Sequence, residues 1–167
     1  METRKELKQI INELNDKLQK AQDKLENLTK NERWKPNEND VYWFVDDLCK
    51  IDCTYYNTRN KCDNKRYNAY NTFYTQEEAE REANKILIRR KLEDLARSLN
   101  DGIKIDWEDF NQIKYYIFYN NETQVLNCSV HYATKSQGTI YCLDPDFIYK
   151  AIDEIGKQEL INYIKGE

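Results

Sequence analysis

Five cysteines and one histidine are the residues of this 167-residue chain most suited to binding a metal ion. The local pattern places Cys49 and Cys53 on one face of a strand, beside Ile51. At a rise of roughly 3.3 Å per residue, two positions four apart lie about 13 Å from each other, which is too far to share one tetrahedral zinc ion. We therefore predict no metal site, core positions for Cys49 and Cys53, and Cys62 as the only exposed thiol.

The single histidine is the next candidate for chemistry. His131 falls on the strand face opposite the apolar side, so we predict that it faces solvent. Acid–base catalysis would require a positioned nucleophile or carboxylate beside it, and no motif supplies one. The four glycines are isolated, so no glycine-rich phosphate loop exists either. We predict a protein that is not an enzyme and uses no cofactor.

A polar stretch at residues 56–71 has neither helical nor strand periodicity and is dense in Asn, Tyr, Lys and Arg. Aromatic rings stack on bases and cations neutralise phosphates, which suits a nucleotide, a guide RNA or a single strand. The same residue types are energetic hot spots of protein interfaces. The alternative without a binding function is a mobile polar loop with some tyrosines packed on the sheet. The candidate binding residues are Tyr55, Tyr56, Arg59, Lys61, Lys65, Arg66, Tyr67 and Tyr70.

The amino-terminal segment carries an apolar residue at every seam position of a coiled coil between residues 7 and 28. Such a stripe needs a second helix to cover it, and isoleucine at an a position with leucine at d positions favours a parallel two-stranded coil. We predict a parallel homodimer. Its seam consists of Leu7, Ile11, Leu14, Leu18, Ala21, Leu25 and Leu28.

The sequence after this arm predicts an α+β fold. Trp34-Lys35-Pro36 blocks helical continuation, so we expect a coiled-coil oligomerisation helix at residues 1–33 and one globular domain at 34–167. A hairpin, a polar loop, a short strand and a helix occur in that order twice, which predicts two β-β-β-α-like units around a shared sheet. The predicted helices begin near Thr75, Asp144 and Lys157. The first should open with a capping box of Thr75 and Glu78, run to about Asn100, end at Asp101-Gly102, and bury Ile86 and Leu87.

Charge and hydropathy restrict the classes of partner. The formal net charge is −4, and residues 100–167 hold eleven acidic and six basic groups. A basic excess is typical of duplex-binding proteins, so general duplex DNA binding is disfavoured. An acidic surface mimics nucleic acid for a basic partner or simply keeps the protein soluble. No apolar run of membrane-spanning length and no export signal is present, so we predict a cytoplasmic protein with reduced thiols and no membrane contact.

The order of several segments resembles a known class of protein. These segments are Trp34-Lys35-Pro36, Val41-Tyr42-Trp43, Thr72 to Glu80, Trp107 with Tyr115 to Tyr119, and Ala151 to Gly156 with Leu160 and Tyr163. They resemble small coiled-coil-plus-α+β accessory proteins of phages and prophages of low-GC Gram-positive bacteria. Where that pattern usually has glycine, this chain has Asn39 and Tyr70-Asn71.

This resemblance implies a function in a class rich in anti-CRISPR and other anti-defence inhibitors. It suggests a phage-encoded protein that inhibits a bacterial defence system in the cytoplasm of the infected host. The most concrete form is an anti-CRISPR protein that binds a Cas effector stoichiometrically, alone or with its guide RNA. Two alternatives stay open: a sponge for a nucleotide signal near residues 55–71, and a structural or regulatory phage protein-interaction module.

Overall fold

The computed structural model describes residues 10–12, 14–15, 17–18 and 33–166, and it has an α+β fold. The elements from residue 33 onwards are β1 (Val41–Val45), β2 (Ile51–Tyr55), α1 (Lys61–Asn68), α2 (Gln76–Leu99), β3 (Lys114–Asn120), β4 (Val125–His131), β5 (Tyr141–Cys142), α3 (Phe147–Ile155) and α4 (Lys157–Lys165). Within the described part of the chain, no helix combines the length and the apolar character needed to cross a bilayer.

The described strands form two antiparallel sheets rather than the shared sheet that we expected. The first sheet pairs β1 with β2, and the second has the order β4-β3-β5. An isolated bridge joins Trp43 of β1 to Phe73, with N–O distances of 3.0 and 2.9 Å. In both halves, therefore, the first strand of a hairpin also pairs with a short segment that precedes a helix.

The chain divides into two compact units. Of the described residues, unit 1 contains 10–12, 14–15, 17–18, 33–43 and 53–74, and unit 2 contains 44–52 and 75–166. From Arg33 onwards, the described residues of unit 1 hold six cationic side chains and three carboxylates. Unit 2 holds thirteen cationic side chains and nineteen carboxylates in its described residues. The two units therefore differ in the sign of their net charge, a difference that the total of −4 conceals.

Helix α2 has the predicted ends. Thr75 accepts a hydrogen bond from the Glu78 N–H and Glu78 accepts one from the Thr75 N–H, so the capping box is confirmed. Its buried positions include Ile88 instead of Ile86 or Leu87, and Leu87 is 42% exposed. The predicted buried face was therefore displaced by one to two residues in the middle of this helix.

The core of unit 2 lies between its three helices and the inner face of β3, β4 and β5. Its most buried members include Leu160, Phe147 and Cys142, each at most 1% exposed. Burying one large apolar side chain contributes about 1.5–3 kcal/mol, so this cluster is the main stabilising feature of the unit. Between α3 and α4 the chain turns at Gly156, whose φ of 102° is a conformation that side chains rarely permit.

Helix α3 begins later than predicted. The sequence favoured Asp144 as its N-cap, whereas the helix begins at Phe147 with Asp146 before it. The Asp144 carboxylate accepts the Asp146 N–H at 2.7 Å, and its carbonyl accepts the Phe147 N–H at 3.2 Å. Asp144 therefore stabilises a turn before the helix, because its short side chain reaches the N–H two residues on.

Candidate functional site

The predicted binding loop contains a helix. Residues Lys61–Asn68 form α1, and the Asn60 side chain caps it by accepting the Cys62 N–H at 2.8 Å. The prediction of an irregular loop was wrong here because the only buried residue of this helix is the charged Asp63. A helix that buries a carboxylate has no apolar stripe, so hydrophobic periodicity cannot reveal it.

A buried polar network holds α1 in unit 1. Asp63 is 2% exposed and accepts the Tyr42 hydroxyl at 2.9 Å and the Asn57 N–H at 3.0 Å. Arg66 lies 3.7 Å from the same carboxylate and donates to the Tyr42 oxygen at 3.0 Å. Burial raises the pKa of the Tyr42 phenol above its ordinary value. The phenol therefore stays protonated at neutral pH, as a donor to Asp63.

Tyr56 belongs to the same scaffold. It is 1% exposed, its ring packs edge-on against Tyr42 with the centroids 5.8 Å apart, and its hydroxyl donates to Asn64 at 3.0 Å. A ring buried in this way cannot stack on a ligand without local unfolding. Tyr56 is therefore removed from the candidate binding surface, and the partly buried Arg66 serves mainly to support the network.

A second cluster lies on the exterior of unit 1 and joins α1 to the residues before β1. The Arg33 guanidinium lies between two rings, 3.9 Å from the Tyr67 centroid and 4.1 Å from that of Tyr70, and it donates to the Tyr67 carbonyl. The Lys35 ammonium lies 5.5 Å from the Tyr67 centroid. The next ring along, Trp34, packs edge-on against Tyr74 at 5.3 Å. We call these six residues the Arg33 surface: Arg33, Trp34, Lys35, Tyr67, Tyr70 and Tyr74.

Tyr70 is the most unusual member of the Arg33 surface. Its φ of 61° is left-handed, which is uncommon for a bulky residue, and its side chain is 74% exposed. This conformation ends α1, because the Tyr70 N–H donates to the Tyr67 carbonyl at 3.0 Å and the Asn71 N–H donates to the Arg66 carbonyl at 2.9 Å, the pattern of a left-handed helix cap. This chain therefore keeps a large exposed ring at a position that favours glycine.

The other predicted binding residues contribute exposed groups on the same unit. Tyr55, Arg59, Lys61 and Lys65 are all exposed. The Glu38 carboxylate accepts the Thr58 N–H at 2.7 Å, and this bond, with a smaller effect of Arg59, lowers the pKa of Glu38. The resulting arrangement is an open cationic and aromatic exterior that suits contact with carboxylates or phosphates. Because Arg33 already covers one face of Tyr67 and of Tyr70, a base has only their outer faces for stacking.

Only part of the predicted dimer seam is described. Ile11, Leu14 and Leu18 are helical and each is more than half exposed. The other seam residues lie outside the described residues, namely Leu7, Ala21, Leu25 and Leu28. Pairing through this seam, and the boundary after residue 33, therefore stay predictions.

The thiols are placed differently from our expectation. Cys53 is exposed together with Cys62, and Cys49 is half-buried in the turn before β2 with a φ of 61°. Core positions for Cys49 and Cys53 were wrong because β2 begins only at Ile51, and most of this strand lies near the surface. The Arg90 guanidinium donates to the Cys49 sulfur at 3.0 Å within unit 2. No group of three His, Cys, Asp or Glu side chains suited to a metal occurs among the described residues.

His131 is half-buried rather than fully solvent-facing. Its ring stacks on Tyr116 with the centroids 4.9 Å apart, and Thr134 lies within hydrogen-bond distance at 3.1 Å. The pairing of β3 with β4 places His131 opposite Lys114, which is fully buried. The Lys114 ammonium donates to the carbonyls of Asp109 and Tyr132 at 2.8 and 3.1 Å. Aromatic and polar neighbours thus cover this face of the sheet around His131. The alternation of side chains along β4 had predicted that this face is exposed to solvent.

Comparison of the chain with protein families, with curated proteins and with solved structures found no match in any of the three. The resemblance to phage accessory proteins therefore stays a prediction.

Proposed function

We propose that this chain is a binding protein that inhibits a bacterial defence protein by contact, through the Arg33 surface of unit 1. The most specific form of the proposal is a phage-encoded anti-CRISPR protein that binds a Cas effector, alone or with its guide RNA, in the host cytoplasm. The observation that carries the proposal is the array in which the exposed Arg33 lies between the half-buried Tyr67 and the exposed Tyr70.

The composition and rigidity of this array support a role in binding. Tyr, Trp and Arg are the residues most enriched at interface hot spots, and all three types occur here side by side. Because Arg33 contacts two rings at once, its side chain and those of Tyr67 and Tyr70 have lost much of their rotamer freedom before any partner arrives. Preorganisation of this kind lowers the entropy cost of association.

The charge of unit 1 favours one class of contact. From Arg33 onwards, its described residues hold six cationic side chains and three carboxylates, and one of these carboxylates, Asp63, is buried. Electrostatic complementarity selects an acidic partner surface or exposed phosphates, and an effector bound to its guide RNA provides both. A protein partner is favoured over a free nucleotide because Arg33 already occupies ring faces on which a base would stack.

Two copies of the surface would strengthen binding. Ile11, Leu14 and Leu18 leave an apolar helical stripe in solvent, and we propose that a second copy covers it in a parallel homodimer. A dimer presents two Arg33 surfaces. When both engage, the second contact becomes intramolecular, and avidity can exceed the affinity of one site by about two to four orders of magnitude.

Co-elution of the purified full chain with a panel of Cas effector–guide complexes tests the proposal. We expect a complex with at least one effector, and an Arg33→Ala/Tyr70→Ala variant should bind it at least about tenfold more weakly, since hot-spot truncations cost about 2 kcal/mol or more. Tyr149→Ala is the matched control, because Tyr149 is an exposed ring on α3 of unit 2. Absence of any complex, or equal binding by the double variant, contradicts the proposal.

A further inference from the structure

We propose that a cleft between α2 and α4 of unit 2 binds a nucleoside polyphosphate. The cleft has a volume of about 440 Å³, within the range of about 300–1,000 Å³ that is typical of small-molecule sites. It lies outside the Arg33 surface and does not depend on the function proposed for that surface. We call it the α2–α4 cleft.

Helical spacing assembles the two walls. The cleft is lined on α2 by Arg81, Lys85, Ile88 and Lys91, which follow one another at intervals of four, three and three residues and so share one face of the helix. On α4, Glu159, Asn162 and Tyr163 recur at i, i+3 and i+4 and line the opposite wall. The walls therefore consist of one face from each helix, not of loop residues.

The charge of the cleft is opposite to that of the unit that contains it. Three cationic side chains and one carboxylate line the cleft, whereas unit 2 as described has more carboxylates than cationic side chains. Arg81 and Lys85 are also like charges at an i, i+4 spacing, an arrangement that destabilises an isolated helix slightly. A bound anion would relieve that repulsion. The local excess of positive charge points to an anionic ligand.

The length of the cationic row indicates more than one phosphate. Arg81 and Lys91 are ten residues apart, which corresponds to about 15 Å along a helix axis. One phosphate group cannot contact both ends of such a row, whereas a chain of phosphates can follow it. The Lys85 ammonium also donates to the Gly166 carbonyl at 2.8 Å, so Lys85 holds the end of α4 in place. We therefore assign the phosphate chain chiefly to Arg81 and Lys91.

The remaining lining residues suit a nucleoside. Leu87 is 42% exposed and lies beside Ile88, which gives the cleft an apolar patch. The half-buried ring of Tyr163 provides a surface on which a base can pack. The amides of Asn84 and Asn162 can donate to or accept from base edges. Glu159 repels phosphates but accepts hydrogen bonds from ribose hydroxyls, which places the sugar on the α4 side.

Calorimetric titration of the full chain in magnesium-free buffer tests this site with ATP, AMP, inorganic tripolyphosphate and adenosine as probes. We expect ATP to bind at least about tenfold more tightly than AMP, since charge-assisted contacts to the additional phosphates are lost. We expect tripolyphosphate to bind more weakly than ATP because it lacks a base. Equal affinity for ATP and AMP, equal affinity for ATP and tripolyphosphate, or no ATP binding overturns the proposal.

Charge-matched variants separate a built site from general attraction of anions. Arg81→Gln/Lys91→Gln should weaken ATP binding at least about tenfold. Arg97→Gln/Lys135→Gln removes the same charge from exposed positions of unit 2 outside the cleft and should leave ATP binding unchanged. Circular dichroism checks that both variants are folded. An equal loss of binding in both double variants, or no loss in either, overturns the assignment to the cleft.

Discussion

Removal of the Asp63 carboxylate should release α1 from unit 1. In Asp63→Ala, the Tyr42 hydroxyl and the Asn57 N–H both lose an acceptor in a site that is 2% exposed. Hydrogen bonds to a charged group contribute about 1.5–3 kcal/mol each. Arg66 remains one-third exposed and can turn to water, so its share of the loss is small. We expect a total loss of about 3 kcal/mol in the free energy of unfolding of unit 1.

Hydrogen exchange of the α1 amides measures this loss of stability in the helix that Asp63 holds in place. A change of about 3 kcal/mol lowers the protection of those amides by roughly 100-fold, because each 1.4 kcal/mol is a factor of ten. Asp63→Asn keeps one carbonyl oxygen for the Tyr42 hydroxyl, so it should lose about half as much. Asp47→Asn alters an exposed carboxylate of the hairpin tip and should change stability by less than about 0.5 kcal/mol.

Equal protection of the α1 amides in Asp63→Ala and in the wild type would contradict this role of Asp63. An equal loss of protection in Asp47→Asn would contradict it too, since the effect would then come from net charge and not from the buried network.

Three further predictions concern unit 2 and the thiols. Gly156→Ala should lower the free energy of unfolding by about 1–3 kcal/mol, measured by urea denaturation, because alanine cannot adopt a φ of 102° without strain; a neutral effect would contradict the turn between α3 and α4. In alkylation followed by mass spectrometry, the exposed Cys62 should react in the native protein, whereas Cys142 should stay protected, because it is fully buried and burial raises the pKa of its thiol. Equal alkylation of both thiols would contradict this placement. The Asp144 carboxylate accepts a hydrogen bond from Lys150 at 2.7 Å, and this bond lowers the pKa of Asp144 below its ordinary value of 3.8. Its stabilising contribution is therefore fully present above pH 3.8 and is lost as pH falls through the lower folded-state pKa. The difference in stability between the wild type and Asp144→Asn, followed by thermal unfolding across this range, should shrink on acidification, and a difference that grows would have the wrong sign.

The parts of the fold that short-range chemistry determines could be predicted from the sequence. The capping box of Thr75 and Glu78 involves residues three apart, and both of its hydrogen bonds are present. The end of α2 was equally accessible, because Asp101 and Gly102 take the left-handed conformation expected after a helix. In each case the residues that determine the structure are neighbours in the sequence.

Helix α1 could not be predicted in this way because its stability depends on a partner far along the chain. Its buried Asp63 is acceptable only because the Tyr42 hydroxyl, 21 residues earlier, supplies a hydrogen bond. Without knowledge of that contact, the sequence predicts that a carboxylate in this position is exposed to solvent. Cys49 was misplaced for a related reason, since the turn before β2 extends further than two residues and moves the start of the strand.

The Arg33 surface was found only in part. The abundance of tyrosine and cations identified Tyr67 and Tyr70, but Arg33 and Trp34 lie more than 30 residues before them. The sequence showed Trp34-Lys35-Pro36 only as the end of a helix. The sequence did show an arginine and a tryptophan next to a helix-blocking proline, and a tyrosine-rich segment after them. It did not show that these two segments contact each other.

The opposite net charges of the two units also could not be predicted from the sequence. A window of residues 34–74 contains equal numbers of basic and acidic groups, because it includes the acidic hairpin tip. The structure assigns residues 44–52 to unit 2, which leaves unit 1 with an excess of positive charge. Charge counted along the sequence thus differs from charge counted by unit wherever a hairpin is divided between two units.

Titration of the DNA-cleavage activity of a bound Cas effector tests most directly whether this protein acts by contact alone. We predict that residual cleavage falls linearly with the amount of protein added, ends at a fixed molar ratio and does not change with longer incubation. The Arg33→Ala/Tyr70→Ala variant should require a larger excess for the same inhibition. Complete inhibition at a small fraction of the effector concentration, increasing with time, would show turnover and contradict the account.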